Sequence, residues 1–205
     1  MIIAIEGIDG AGKNTLMGAI REALHASVLA FPRYQESVHA QLASKALYGQ
    51  MGDLIDSAYA MATLFALDRA DAAQQVRAYQ GIATEHLLLD RYVASNVAYS
   101  VARTQDPAMQ QWVEELEFST LGVPTPDLQV FLATPPELAM ERAAHRAKLD
   151  ATREKDAYEQ SSSLQHRVDQ AFHALAESKW VSPWIVVEPS DTPADVVRRV
   201  QHHLS

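Results

Sequence analysis

Short, mostly apolar runs alternate along the chain with longer segments in which apolar residues recur every three to four positions. The apolar runs cover residues 2–5, 87–89, 128–132 and 184–187, with a weaker fifth run at residues 27–30. Runs of this length without polar alternation are typical of strands buried on both faces of a parallel sheet. The pattern therefore predicts an α/β fold, a three-layer α/β/α domain around a parallel sheet of five strands.

Start signals mark where several helices are expected. Residues 134–137 and 192–195 each begin with Thr-Pro and carry a carboxylate three positions after the threonine. This order places a hydroxyl at the N-cap, proline in the first turn and a carboxylate at the third helical position. A further helix is predicted over residues 54–76, opened by Asp53, and it is rich in apolar side chains.

Composition narrows the possible functions by exclusion. The 205 residues include 17 Lys+Arg against 26 Asp+Glu, a net charge of −9, which speaks against a groove for a nucleic-acid polymer because such a groove needs many phosphate contacts. The absence of cysteine excludes disulfides, thiolate metal sites and thiol catalysis. The first apolar run is too short for a signal peptide, and the stretch at residues 58–67 is too short to span a bilayer. We expect one cytoplasmic domain over residues 1–205, with no membrane segment.

A glycine-rich loop follows the first predicted strand. It reads G-x-x-x-x-G-K and leads into a helical pattern, and its residues are Gly7, Ile8, Asp9, Gly10, Ala11, Gly12, Lys13, Asn14 and Thr15. Glycines let successive backbone N–H groups converge on phosphate oxygens, and the positive end of the following helix points to the same place. The loop is therefore predicted to bind a nucleotide phosphate chain, with Lys13 reaching the β- and γ-phosphates.

One position departs from the usual form of this loop. Where a serine or threonine hydroxyl normally contacts Mg²⁺, the chain has Asn14. An amide is a poorer and bulkier ligand, and Thr15 is one residue out of register. Asp9, inside the loop, can offset the loss by offering a hard anionic oxygen.

A second group of charges follows the third predicted strand. Asp90 and Arg91 lie at its carboxyl end, the edge where ligands bind in open α/β sheets. An arginine at this edge is suited to stabilising charge between two phosphates. The pair could also be an ordinary surface ion pair.

Five short motifs in order resemble the thymidylate kinases, especially the bacterial and mycobacterial members. They lie at residues 7–13, 31–34, 63–69, 90–96 and, after Arg153, 156–159. The resemblance extends over most of the chain and is far more specific than the phosphate loop alone. It implies transfer of the γ-phosphoryl group of ATP to dTMP, giving dTDP and ADP for dTTP biosynthesis. It also implies Mg²⁺ as cofactor and a homodimer, and the apolar helix at residues 54–76 agrees with the latter.

The resemblance assigns roles on the base side of the acceptor site. Phe65 would stack on thymine and Arg69 would donate to a thymine carbonyl. Asn96, with Ser95 beside it, would read the remaining edge of the base. Taken singly, Phe65 also fits a core residue and Arg69 a solvated helix residue.

The phosphate side is assigned in the same way. Tyr34 and Arg91 would hold the acceptor phosphate, and Tyr99 would lie against the sugar. The remaining acceptor-side residues implied by the resemblance are Asp9, Asp156, Tyr158 and Glu159. Of these, Asp9 and Glu159 would also carry the Mg²⁺.

A basic lid is predicted over residues 142–157. Some members of the family carry an arginine at the position of Gly10, and this chain carries Arg146 and Arg153 in the basic segment instead. We therefore expect the lid to supply positive charge to the transferring phosphoryl group. Any one of these arginines could also be a solvated residue on a basic helix face.

Three other classes of protein use a similar loop. A GTP-dependent switch would need an Asn-Lys-x-Asp segment, and neither Asn14 nor Asn96 is followed by lysine. A nucleoside kinase with a hydroxyl acceptor would need a nearby base, for which a carboxylate pair after the first strand is expected in place of Asp9 and Gly10. A catalytically weakened relative is a further alternative, indicated only by Asn14.

Overall fold

The computed structural model of the chain describes residues 1–149 and 156–204. Five strands form one sheet in the order β2-β3-β1-β4-β5, and every neighbouring pair is parallel. The strands are β1 (Ile2–Glu6), β2 (Ser27–Ala30), β3 (Leu87–Asp90), β4 (Leu128–Leu132) and β5 (Trp184–Val187). The predicted five-stranded parallel sheet is confirmed, including the weak run at β2.

Helices cover both faces of this sheet. Strands β1 and β4 are buried at every position, which requires a packed layer on each side. Helix α1 packs against α10, whereas α5 packs against α3, α6 and α9. The helices are α1 (Lys13–Leu24), α2 (Val38–Leu47), α3 (Ala58–Asp71), α4 (Ala73–Arg77), α5 (Val93–Thr104), α6 (Ala108–Glu114), α7 (Pro136–Leu149), α8 (Ala157–Gln160), α9 (Ser162–Glu177) and α10 (Pro193–Leu204). No helix in the described part of the chain is long and apolar enough to cross a membrane.

The strand register brings the functional loops to one edge of the sheet. Ile5 of β1 pairs with Asp90 of β3 on one side and with Val130 of β4 on the other. The residues that follow β1, β3 and β4 therefore leave the sheet at nearly the same height. Because all five strands are parallel, the loops at their carboxyl ends form one continuous ligand-binding edge.

The helix predicted over residues 54–76 is wrong in its bounds. Residues Gly52–Asp56 form a 3₁₀ turn, and α3 begins only at Ala58, where the Ser57 hydroxyl accepts a hydrogen bond from the backbone N–H of Ala60. Asp53 therefore does not open the helix. The far end is broken at Ala72, which separates α3 from α4.

The two predicted Thr-Pro starts have different outcomes. Thr192 caps α10 as expected, because its hydroxyl accepts from the backbone N–H of Asp195 while the Asp195 carboxylate accepts from the backbone N–H of Thr192. The predicted cap at Thr134 is wrong. Its hydroxyl donates instead to the carbonyl of Ala11 in the phosphate loop, at 2.9 Å, and α7 begins at Pro136. A tertiary contact thus replaces the local cap.

A small second core explains part of the apolar character of α3. Met61 packs there with Ala43, Ala46 and Leu47 of α2, and Phe65 lies against the same cluster. Ala62, on the other side of the helix, belongs to the main core. Helix α3 therefore buries apolar side chains on two sides within one chain.

Candidate active site

The phosphate loop has the backbone conformation that its glycines predict. Gly10 and Gly12 have φ values of 89° and 100°, in the left-handed region. At Gly10 a Cβ atom would lie 2.0 Å from the carbonyl oxygen of Ala139 in α7. The loop thus packs directly against α7, whose later part overlaps the predicted lid, and no side chain fits at the position of Gly10.

The side chain of Lys13, the first residue of α1, is held over the phosphate loop by backbone carbonyls of the loop. Its Nζ donates to the carbonyl oxygens of Gly7, at 3.1 Å, and Ile8, at 3.2 Å. Burial, followed by the charge of Arg91, lowers the pKa of the Lys13 ammonium to about 8. The ammonium is therefore fixed at the mouth of the loop before any phosphate binds.

A polar pocket extends along the loop towards α7. Its lining includes exposed Asn14 and Thr15, together with Lys13, Asp90 and Arg142. Asp90 Oδ1 is buried and has no hydrogen-bond partner among the described residues. An unpaired carboxylate oxygen beside a phosphate loop is suited to a hydrated cation or a bound water.

Arg91 separates this pocket from a second one. Its Nη1 donates to the Gly7 carbonyl at 2.9 Å and to the Ser95 hydroxyl at 3.2 Å, and its Nη2 donates to Asp9 Oδ1 at 2.7 Å. Arg91 and Asp9 line both pockets. Burial, the largest single effect, would lower the pKa of the guanidinium, but Asp9, Tyr99 and Asp90 together outweigh burial and raise this pKa. Arg91 is a fixed positive charge at the boundary.

Glu6 supports Arg91 from beneath, a role that the sequence did not indicate. Its fully buried carboxylate accepts from the backbone N–H of Tyr92 at 2.9 Å and from the Ser95 hydroxyl at 2.6 Å. The same hydroxyl accepts from Arg91. Because Arg91 has a φ of 64°, unusual for a residue with a side chain, these bonds help to hold the turn.

The second pocket gathers every predicted acceptor-site residue whose side chain the structure describes. They come from loops and helices far apart in sequence, and the pocket also contains Phe31, Pro32 and Leu47. The predicted residues that line it are Asp9, Tyr34, Phe65, Arg69, Arg91, Ser95, Asn96, Tyr99, Asp156 and Tyr158.

Two tyrosines form one wall of this pocket. The rings of Tyr99 and Tyr158 are stacked, with centroids 5.6 Å apart and planes at 18°. The Tyr99 hydroxyl donates to Asp9 Oδ2 at 3.3 Å, and the Tyr158 hydroxyl accepts from Arg103 at 2.6 Å. Burial raises the pKa of Tyr158 to about 12, so this hydroxyl stays neutral at physiological pH.

The opposite end of the pocket contains a buried charged group. Arg69 donates to both carboxylate oxygens of Glu117, and Asn96 Nδ2 donates to Glu117 Oε1 at 2.8 Å and to the carbonyl of Ala62 at 3.0 Å. The side chains of Arg69 and Glu117 are 4% and 0% exposed. Arg69 is therefore not the solvated helix residue that its sequence context allowed.

A third pocket lies on the other side of the phosphate loop and was not predicted. Its lining includes the charged residues Arg142, Glu188 and Asp191. The remaining residues of its lining come from the loop, α1, the ends of β4 and β5 and the start of α10: Ala11, Gly12, Thr15, Leu16, Leu132, Thr134, Val187, Pro189, Pro193 and Val196. Ala11, Gly12 and Thr15 belong to the predicted phosphate loop, but no short motif of a predicted site carries the other residues, which only the fold brings together.

Three predicted residues cannot be placed by their side chains. Arg146 belongs to α7, and Glu159 belongs to α8, but both side chains lie outside the part of the chain that is described. Arg153 lies wholly outside the described residues, as do residues 150–155 of the predicted lid. Among the described residues, no group of three or more His, Asp or Glu side chains is placed so that it could hold a metal ion.

Comparison with known proteins gives a consistent result. The family model described as thymidylate kinase matches residues 5–199. A thymidylate kinase of Mycobacterium tuberculosis is 49% identical over 197 residues, which cover 91% of each protein.

Two solved structures share the fold. The thymidylate kinase from Candida albicans has a TM-score of 0.70 at 23% identity and covers 98% of this chain and 89% of its own. The deoxyadenosine kinase from M. mycoides, described with dCMP and dCDP bound, has a TM-score of 0.67 at 16% identity and covers 100% of this chain and 98% of its own. At these identities the likeness concerns the fold alone.

Proposed function

Because the chain belongs to the thymidylate kinase family, we propose that its phosphoryl transfer takes place at the boundary formed by Asp9 and Arg91. The chain is an ATP-dependent transferase that phosphorylates dTMP in nucleotide biosynthesis. The observation that carries the proposed site is the position of Arg91, which lines both pockets and is fixed by three hydrogen bonds. A charge between two phosphate groups stabilises both while one attacks the other.

The donor nucleotide occupies the phosphate loop and the third pocket. The backbone N–H groups of residues 7–15 and Lys13 bind its phosphates. Its adenosine extends into the pocket between the ends of β4 and β5. Arg142 lines both parts, so it contacts the donor where base and phosphates meet.

The acceptor dTMP occupies the second pocket, which we call the acceptor pocket. Its base stacks on Phe65 and is read by Arg69 and Asn96, its sugar lies against Tyr99, and its phosphate is held by Arg91 with Tyr34. This phosphate is largely dianionic at pH 7 because the second pKa of a phosphomonoester is about 6. It attacks the γ-phosphorus without a strong general base, so alignment and charge neutralisation are what the protein must supply.

The residues at the boundary fit a magnesium ion. Asp90 Oδ1 is buried without a hydrogen-bond partner among the described residues, and Asp9 is a carboxylate that lines both pockets. Mg²⁺ is held by one or two carboxylates together with substrate phosphates and water. Asp9 and Glu159 would hold it, with Asp90 binding one of its waters. The ion would neutralise charge on the phosphates that it contacts.

The wider organisation is part of the same proposal. The lid spans about residues 142–157, and its Arg146 and Arg153 supply further positive charge.

The chain forms a single cytoplasmic domain that assembles as a homodimer. Half-buried Ala60, Thr63 and Leu67 lie along one side of α3 and offer a surface for a second copy. Sedimentation at micromolar concentration should give the mass of a dimer, and a monomer would refute this part.

One assay tests the proposed reaction. ADP release is measured with dTMP, dUMP, dCMP, UMP, thymidine or no acceptor. Rapid release with dTMP and little with thymidine is expected, because the proposed nucleophile is a phosphate oxygen. Preference for thymidine would indicate a hydroxyl acceptor, and equal release without any acceptor would indicate a simple ATPase.

A further inference from the structure

Glu117 is a buried carboxylate for which neither the motifs nor the phosphoryl transfer gives a reason. It lies in the π-helical segment Glu115–Thr120 that continues α6, and it is 0% exposed. A buried charge is retained only where its partners compensate the loss of hydration. Its partners are Arg69 and Asn96, two residues at the base end of the acceptor pocket.

The contacts of Glu117 leave one orientation for the Asn96 amide. Both groups facing Nδ2, the Glu117 carboxylate and the Ala62 carbonyl, are acceptors. Only the NH₂ group of the amide can satisfy them, and they use both of its hydrogens. Oδ1 then remains for the pocket, and no described residue donates to it. Asn96 therefore presents an acceptor to a bound base.

The Glu117 carboxylate also determines which nitrogen of Arg69 is available to a ligand. Its Oε1 and Oε2 accept from Nη2 and Nε of the guanidinium, which leaves Nη1 without a hydrogen-bond partner among the described residues. Arg69 lines the pocket, so this nitrogen is the donor available there. Burial, the largest single effect, would lower the pKa of Arg69, but the charge and hydrogen bonds of Glu117, with smaller effects of Tyr92 and Asp68, together raise this pKa and keep the donor charged.

A site that presents a hydrogen-bond donor beside a hydrogen-bond acceptor is complementary to only some pyrimidine bases. Thymine and uracil offer an accepting O4 next to a donating N3–H, whereas cytosine offers a donating amino group next to an accepting N3. With cytosine, donor would face donor and acceptor would face acceptor. A site with buried polar groups rejects such a base strongly because those groups are left unpaired.

We propose that Glu117 is the positioning residue that sets this selectivity, by fixing the orientation of the Asn96 amide and the free donor of Arg69. The inference rests on the proposed placement of the acceptor base. Glu117 does not touch the nucleotide. Together with the Ala62 carbonyl, it acts as an acceptor-only group that makes the opposite orientation of Asn96 unfavourable.

The test is the substitution Glu117→Gln, which keeps the shape and supplies an amide in place of the carboxylate. A glutamine amide can turn its NH₂ group towards Asn96, which removes one of the two acceptors that fix the Asn96 amide. Only the Ala62 carbonyl then opposes an orientation that presents Nδ2 to the pocket, so this orientation becomes more populated. Binding of dTMP and of dCMP is measured by titration calorimetry without ATP. The matched control is Glu115→Gln, an exposed glutamate of the same segment.

Wild type and Glu115→Gln should prefer dTMP over dCMP, and Glu117→Gln should reduce that preference by at least about tenfold. The KM for ATP should stay the same, which a general loss of structure would not allow. Thermal unfolding of each variant checks that it folds. Should Glu117→Gln fail to fold, Glu117→Asp takes its place, because it keeps the charge but withdraws the carboxylate from Asn96.

Two outcomes overturn the inference. One is an equal loss of affinity for dTMP and dCMP in the folded variant, and the other is a wild type that binds both nucleotides equally well. Failure of the proposed reaction looks different. If the wild type prefers dTMP over dCMP and Glu117→Gln reduces that preference, but neither releases ADP, the reaction is refuted and the role of Glu117 is supported.

Discussion

The phosphate loop and the acceptor pocket meet at Arg91, and they are built on opposite principles. The loop is one continuous segment, residues 7–15, whose recognition groups are backbone N–H groups and one lysine. The acceptor pocket is made of side chains from segments between Asp9 and Tyr158. Its key side chains are held by two fully buried carboxylates, Glu6 and Glu117.

The difference concerns what holds each region in shape. The loop keeps its form through its backbone, whose Gly7 and Ala11 carbonyls accept from Arg91 and Thr134, so changes of most loop side chains should affect binding more than folding. In the acceptor pocket the recognition groups are also parts of buried charge networks, so a change there should disturb both. The predictions below test this contrast, from the largest expected effect to the smallest.

Lys13→Ala should lower the rate of transfer by about a thousandfold while leaving stability almost unchanged. Loss of a positioned charge at a developing phosphate oxyanion has an effect of this order. Steady-state ADP release and thermal unfolding measure the two quantities, and Lys45→Ala, at an exposed lysine of α2, is the control. Rates within threefold of wild type would remove Lys13 from the machinery.

Arg69→Ala should behave in the opposite way and destabilise the fold by about 3 kcal/mol, because it leaves the Glu117 charge buried without its partner. It should also raise the KM for dTMP more than the KM for ATP. Urea unfolding measures the first effect. Replacing the exposed Arg198 by alanine should leave the unfolding midpoint unchanged. An unchanged midpoint for Arg69→Ala would contradict the contrast between the two regions.

The pH dependence of kcat/KM should also differ between the phosphate donor ATP and the phosphate acceptor dTMP. The pKa of Lys13 is about 8 in the free protein, so above this pH the charged form becomes a progressively smaller fraction. Because kcat/KM reports ionisations of the free enzyme, kcat/KM for ATP should fall about tenfold per pH unit above pH 8. The same quantity for dTMP, measured at saturating ATP, should not show this decline, since bound phosphates keep Lys13 protonated. Parallel declines for both substrates would exclude Lys13 as the cause.

The smallest effect is expected at Asn14. If Mg²⁺ is held by Asp9 and Glu159, Asn14→Ser should change the Mg²⁺ concentration required for half-maximal rate by less than about threefold. Asp9→Asn should raise that concentration strongly. A titration of the rate with Mg²⁺ compares the two variants. The reverse ranking would place the ion at the loop position that Asn14 occupies.

The sequence by itself determined the local parts of this protein. The five strands, the backbone conformation of the phosphate loop and the start of α10 each carry a signal in their own short segment: an apolar run, a glycine pattern or a Thr-Pro cap. Each of these is as predicted. The motifs also predicted a set of acceptor-site residues, and the fold brings the described ones to one pocket. Where a local signal competed with a distant partner, the prediction was wrong, as at Thr134, whose hydroxyl bonds to Ala11 instead of capping α7.

Only the tertiary structure decided which charges are paired and buried. Glu6 and Glu117 look like ordinary acidic residues in the sequence, and their roles arise because the sheet places Ser95 beside one and the packing of α3 against α5 places Arg69 and Asn96 beside the other. The third pocket likewise exists only where the ends of β4 and β5 meet the phosphate loop. A side chain's hydrogen bonds and hydration depend on which atoms surround it in space, and separation along the chain does not determine those neighbours.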